Sequence, residues 1–287
     1  MLQPIEIERN ELGYQLDEVR EGRYVRVFQR RCPGISTSMF LIHGGGGRAG
    51  QFKHLVKVLQ SKVNVVAFDF LGHGDSPSPN QPELYTIDEH LKDLSVIYDK
   101  YKGRRNVLLG HCYGGVHALR LVKQLNDQGR VNELVGVVIL CLGDKCLPGT
   151  MLGYLPAPVL EVLRPLARSS SNAALFTPTT DPAIVAFENA ISDRNRMYMM
   201  KVLLGDTTNQ ELWNDYITTA AQILISKDIP RLLIGGEGDG IFPEEKIIGL
   251  KRILEVPDDC YHVINEVGHL PMLEKPSEVL DIILNFI

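Results

Sequence analysis

Apolar positions along the chain follow two rhythms. Short runs that are apolar at nearly every position predict strands over residues 24–30, 39–42, 63–69, 106–110, 134–142, 231–235 and 260–264. Between them, apolar residues recur three or four apart, the spacing of one helical face. Phe52, Leu55, Val56 and Leu59 predict a helix over 51–62; Ile87, Leu91, Leu94, Tyr98 and Tyr101 mark a second. Val116, Leu119, Leu121, Val122 and Leu125 place a third over 114–128, with two more over 244–254 and 278–287. Strands that are apolar throughout read as a largely parallel sheet covered on both faces, so the fold class is α/β. In such sheets chemistry sits at the carboxyl ends of the strands. The glycine-rich and polar segments of this chain follow strands.

The alternation breaks between 144 and 229. No strand is visible there, prolines stand at 148, 156, 158, 165, 178 and 182, and methionines at 151, 197, 199 and 200. Helical spacing recurs over 159–166, 182–204 and 210–225. The stretch far exceeds an ordinary loop. It predicts a helical cap over 144–229, inserted into a core made of 1–143 and 230–287.

The longest apolar stretch, 134–143, falls short of the roughly 18 residues a membrane-spanning helix needs. The chain starts Met1-Leu2-Gln3-Pro4-Ile5-Glu6, with no basic start followed by an apolar run, so no secretory signal is expected. Five cysteines lack the close-set pattern of a disulfide framework. A cytoplasmic setting is the expectation. The net charge of -5 argues against nucleic acid as the main partner.

Candidate chemistry concentrates at Gly110-His111-Cys112-Tyr113-Gly114-Gly115, between a predicted strand and a predicted helix. Small residues on either side of Cys112 let the strand turn sharply, so the nucleophile is held at the tip of the bend. A sulfur at a helix N-terminus feels the positive end of the macrodipole. His43-Gly44-Gly45-Gly46-Gly47 follows another strand and offers backbone N–H groups; no Gly-Lys-Ser/Thr follows, so it is not a phosphate-binding loop. Asp239, in Gly236-Glu237-Gly238-Asp239-Gly240, and His269, in Gly268-His269-Leu270-Pro271, each follow a later strand. A base needs a carboxylate to fix its tautomer and a nucleophile within reach.

These motifs, with Asp69-Phe70-Leu71-Gly72-His73-Gly74-Asp75-Ser76 and Glu274-Lys275-Pro276, resemble the α/β-hydrolase superfamily, and within it the capped, epoxide-hydrolase-like proteins. The resemblance implies a mostly parallel central sheet with helices on both faces and a helical cap. It implies Cys112 as nucleophile, Asp239 as acid, His269 as base, and an oxyanion hole from the backbone N–H groups of Gly45 and Tyr113. Cys112 departs from the pattern: serine is usual in esterases of this kind, and epoxide hydrolases and haloalkane dehalogenases require aspartate. Asp144, just past the strand 134–142, is the alternative acid. His111 reads as structural or as pocket floor, and His54, His90, His117 and His262 as surface or core residues. Neither a metal nor a cofactor is expected, because Cys32, Cys141, Cys146 and Cys260 lack metal-ligand spacing.

The expected activity is hydrolysis of a carboxylic ester, thioester or lactone through an acyl-enzyme on Cys112. The alternatives are an acyltransferase with the same triad, or a ligand-binding relative without catalysis. Leu152, Leu155, Val159, Leu160, Leu163 and Leu166 form a stripe that suits a small-molecule substrate with an apolar part.

Overall fold

Strands that are apolar on both faces need cover on both sides, and the computed structural model, which describes residues 13–145, 155–207 and 209–287, has it. The strands are β1 (Gln15–Arg20), β2 (Arg23–Arg30), β3 (Thr37–Ile42), β4 (Asn64–Asp69), β5 (Arg105–His111), β6 (Leu134–Leu140), β7 (Arg231–Gly236) and β8 (Tyr261–Ile264). They form one sheet in the order β1-β2-β4-β3-β5-β6-β7-β8. β2 runs antiparallel to β1 and to β4, and the other neighbours are parallel. Successive side chains of a strand point to opposite faces. Phe40, Ile42, Val66, Phe68 and Leu108 accordingly join one apolar cluster, and Met39, Leu41, Val65, Ala67, Val107 and Leu109 another.

The helices are α1 (Lys53–Leu59), α2 (Ile87–Tyr101), α3 (Tyr113–Asp127), α4 (Ala157–Leu175), α5 (Pro182–Ser192), α6 (Met197–Thr207), α7 (Gln210–Ser226), α8 (Glu244–Ile253), α9 (Pro271–Glu274) and α10 (Pro276–Phe286). Four of them, α4 to α7, lie between β6 and β7. α7 packs along α3, and its Trp213, Ile217, Ala220 and Leu224 enter the same apolar cluster as the sheet.

Several boundaries differ from the hydrophobic pattern. β1 left little signal because Val19 is its buried apolar residue, while Leu16 is exposed and the buried Asp17 is polar. β6 stops at Leu140, since Cys141 turns to φ +48°. The stretch 182–204 divides into α5 and α6, and Arg164 of α4 donates to the Asp193 carbonyl (2.6 Å) at the break. Leu152 of the expected stripe lies outside the described residues; Leu160 is buried, but Val159 is 41% exposed. Among the described residues no helix is long and apolar enough to cross a membrane.

Candidate active site

The tightest corner lies where β5 passes into α3. Cys112 sits there as the N-cap residue with φ 51° and ψ -120°, a conformation that side-chain-bearing residues rarely adopt. Its N–H donates to Leu140 O (2.9 Å), which ties the corner to β6. A Cβ on Gly114 would stand 2.1 Å from Ile42 O, so only glycine allows this close passage of chains. The sulfur ends half-buried at the helix N-terminus, where negative charge is favoured.

The chain leaving β3 folds into a tight turn against this corner. Gly47 N–H donates to Gly44 O (3.0 Å), and Gly46 takes φ +73°, the third position of a type II turn. Gly45 occupies the outer corner beside Tyr113: a Cβ on it would be 3.7 Å from Tyr113 Cβ. His43 donates from Nδ1 to Gly44 O (2.7 Å) and accepts the Phe70 N–H at Nε2 (3.0 Å), which fixes its neutral tautomer.

Asp239 follows β7 and His269 follows β8. A Cβ on Gly236 would stand 2.1 Å from Gly268 O, so the two loops meet closely. His269 Nδ1–H donates to Asp239 Oδ2 (2.8 Å), and both residues are buried. Asp239 Oδ1 accepts the N–H groups of Ile241 (2.8 Å) and Phe242 (2.9 Å). Burial alone would push the Asp239 carboxyl up; the His269 charge and these donors outweigh it and hold it below its ordinary value. Burial likewise pulls the His269 imidazole down. The Asp239 carboxylate, followed by the neighbouring Cys112 side chain, pushes it up to about 10.

The structure thus brings Cys112, His269 and Asp239 together, with Gly45 beside Tyr113, the residue that follows Cys112. Asp144 stands apart: its N–H donates to Lys246 O (3.0 Å), and its carboxylate lies against Gly249 of α8. His111 is buried and donates from Nε2 to the His269 carbonyl (2.8 Å); burial brings its own value down to about 3, so it is a neutral clamp on the His269 backbone. Asp69 has a structural part, accepting the N–H groups of Ala49 and Asp75 (2.8 Å each) and so bracing the loops after β3 and β4.

Some residues at the site gave no signal in sequence. The Cys141 thiol lies within 4.8 Å of the facing Asp239 oxygen and His269 nitrogen. Burial, then the neighbouring carboxylate, raises it far above an ordinary thiol, so it faces Asp239 as a neutral S–H. Among the described residues these three are the group whose atoms lie close enough to hold a metal ion, yet Asp239 Oδ2 and His269 Nδ1 are already bonded to each other. The end of α4 also reaches the site: Leu175 O accepts the His269 N–H (2.7 Å), and Ala174 O accepts the Gly240 N–H (3.0 Å). A depression lined by Arg105, Asn132, Lys227 and Asp228 lies at the other end of the strands, away from Cys112.

Beneath the corner, four further histidines gather around Phe70. His43, His90 and His117 have ring centroids 5.0, 4.8 and 4.8 Å from it, and His73 lies 5.0 Å from His43. All four are buried. Burial is the main cause that lowers each of them, His73 to about 4 and the others well below the ordinary imidazole range.

A sheet with this strand order, with Cys112 after β5, Asp239 after β7 and His269 after β8, defines a class. The chain belongs to the alpha/beta hydrolase family, whose match covers residues 39–282. Among curated proteins it is similar to Protein ABHD8 of Bos taurus, 27% identical over 265 residues, covering 89% of this chain and 57% of that protein. It therefore spans little more than half the length of that relative. Uncharacterized hydrolase YugF of Bacillus subtilis (strain 168) is 25% identical over 259 residues, covering 89% of this chain and 91% of the other. Among solved structures, the enol-lactonase from Burkholderia xenovorans LB400 superposes with a TM-score of 0.75 at 16% identity, covering 95% of this chain and 98% of the other. At that identity the likeness concerns the fold.

Proposed function

We propose that the chain is a cysteine-dependent hydrolase of carboxylic esters, thioesters or lactones, working through an acyl-enzyme. The observation that carries this reading is the buried pair in which Asp239 accepts from Nδ1 of His269 (2.8 Å), with the Cys112 side chain acting on the same imidazole. An imidazole beside a sulfur at the tip of a strand-to-helix bend supports the reading, because it can serve the sulfur as base and the leaving group as acid.

Cys112 Sγ attacks the carbonyl carbon, a C–S bond forms, and the carbonyl electron pair moves to oxygen. The N–H groups of Gly45 and Tyr113 receive that oxyanion, where one donor is worth about 3 kcal/mol. His269 gives its proton to the departing alcohol or thiol as the C–O or C–S bond breaks. It then takes a proton from water, whose oxygen attacks the acyl group and releases the acid and Cys112. Asp239 keeps the ring in its tautomer throughout. Each step uses side chains and backbone of this chain.

In this reading the proposed cap is the stretch 144–229, whose described helices are α4 to α7. Met200 and Leu203 of α6 border Gly46 and Gly45, which supports a substrate with an apolar part. Four described cysteines are free thiols, in keeping with a reducing, cytoplasmic setting.

The test is a panel of p-nitrophenyl esters, acyl thioesters and lactones, assayed with the chain and with Cys112→Ala. The expected result is turnover that falls at least about a thousandfold in the variant, with a mass increment of one acyl group on the wild-type chain. Equal rates would overturn the reading. Transfer of the acyl group to an added alcohol in preference to water would turn the assignment to an acyltransferase.

A further inference from the structure

We infer that Glu188 and Asn195, from the helical segment between β6 and β7, are positioning residues for the oxyanion turn. The inference rests on the acyl-enzyme reading above. Four consecutive glycines have the greatest backbone freedom of any tetrapeptide, so the turn Gly44–Gly47 has little rigidity beyond its own Gly47–Gly44 hydrogen bond. A useful oxyanion hole needs donors fixed before the reaction. The rigidity must therefore come from neighbours.

From below, His43 holds the Gly44 carbonyl, as described. From above, Asn195 Nδ2 donates to Gly46 O (2.7 Å). Both carbonyls flanking Gly45 in the turn are thereby engaged. The residue that ends the turn, Arg48, is forked onto Glu188: Nη1 donates to Oε2 (2.9 Å) and Nη2 to Oε1 (2.7 Å). Gln51 Nε2 donates to the same Oε2 (2.9 Å), while Gln51 Oε1 accepts the Arg48 N–H (3.4 Å). Arg48, Gln51, Glu188 and Asn195 are 2%, 5%, 8% and 7% exposed. Arg164 in turn donates to the Asn195 carbonyl and fixes the bend that presents this side chain.

A buried ion pair seldom stabilises a fold more than apolar side chains of the same size would. What a forked Arg–carboxylate contact supplies is direction. Here the direction is imposed on the residue next to the glycine turn, across 140 positions of sequence.

The test uses the full chain with Asn195→Ala, Glu188→Gln and the double variant Arg48→Met/Glu188→Leu, which removes both charges and retains volume should Glu188→Gln fail to fold. Three quantities are read: steady-state kinetics on the best ester of the panel, inhibition by an aldehyde whose adduct with Cys112 carries an oxygen in the hole, and the alkylation rate of Cys112 by iodoacetamide, which needs no hole. The expected result is a kcat lower by about tenfold or more with KM within about threefold. The aldehyde inhibition constant rises in proportion to the loss in kcat/KM, and alkylation stays within about twofold of wild type. Unchanged kcat in the folded variants overturns the inference. So does a fall in alkylation equal to the fall in kcat, which means the whole site has collapsed. A wild-type Cys112 that is neither acylated nor alkylated overturns the acyl-enzyme reading itself, and this inference with it.

Discussion

Buried imidazoles near the β5–α3 corner meet opposite fates. His269 is raised to about 10, whereas His43, His73, His90 and His117 are lowered. Burial acts on all five in the same direction, against the charged ring. The difference is the company. His269 has a carboxylate at 2.8 Å and a sulfur; the cluster around Phe70 has aromatic rings and one another. The carboxylate, then the sulfur, reverses the sign for His269, and that reversal sets it apart from the rings packed around Phe70.

The sharpest way to break the contrast is to remove the carboxylate. Asp239→Asn leaves volume unchanged but deprives His269 of its anionic partner. We expect kcat to fall by about 10³–10⁴. The alkaline limb of the pH–rate profile, set in the wild type by His269 near 10, should move to lower pH in the variant. A limb that stays in place would mean that Asp239 does not set the imidazole's basicity.

A smaller effect comes from acid. Rings whose folded values lie below their unfolded value near 6.5 stabilise the fold fully above 6.5 and lose that contribution as pH falls toward the folded values. Each such ring costs about 1.4 kcal/mol per pH unit within its window, so the fold should lose stability progressively as pH falls below 6.5. Urea unfolding at steps of half a pH unit reads this directly. His269 acts in the opposite sense, because its raised value stabilises the fold below 6.5 and fades as pH climbs toward 10. The fold should therefore be most stable between these two losses.

A finer probe is His117→Phe. Neither ring nitrogen of His117 has a hydrogen-bond partner among the described residues, and its ring lies 4.6 Å from Tyr113 and 4.8 Å from Phe70. An aromatic replacement should change stability at pH 7.5 by less than about 1.5 kcal/mol. It should also make the acid loss shallower by one ring's share. An unchanged acid slope would show that His117 does not titrate on unfolding in that range.

The same contrast explains what the sequence made legible. Strands that are apolar throughout announced a sheet covered on both faces, and each of Cys112, Asp239 and His269 stood in a glycine-bearing segment after a strand. Local chemistry was visible because it is local. β1 was invisible because an edge strand with one buried apolar residue carries almost no alternation. Cys141, Glu188 and Asn195 were invisible for another reason: their partners Asp239, Arg48 and Gly46 lie roughly 100 to 150 positions away, and no spacing rule connects them. The choice between Asp239 and Asp144 was open in the sequence because both follow strands. In the structure the loop after β7 meets the imidazole, and Asp144 turns toward α8.

The two carbonyls at the end of α4 carry a consequence for anyone who would graft this segment from a relative. Ala174 O and Leu175 O anchor the Asp239 loop and the His269 backbone, so an exchanged insert must bring its last helical turn to the same two peptide groups. A foreign insert of equal length that ended even a few ångströms away would leave the Asp239 loop and the His269 backbone without their shared mooring.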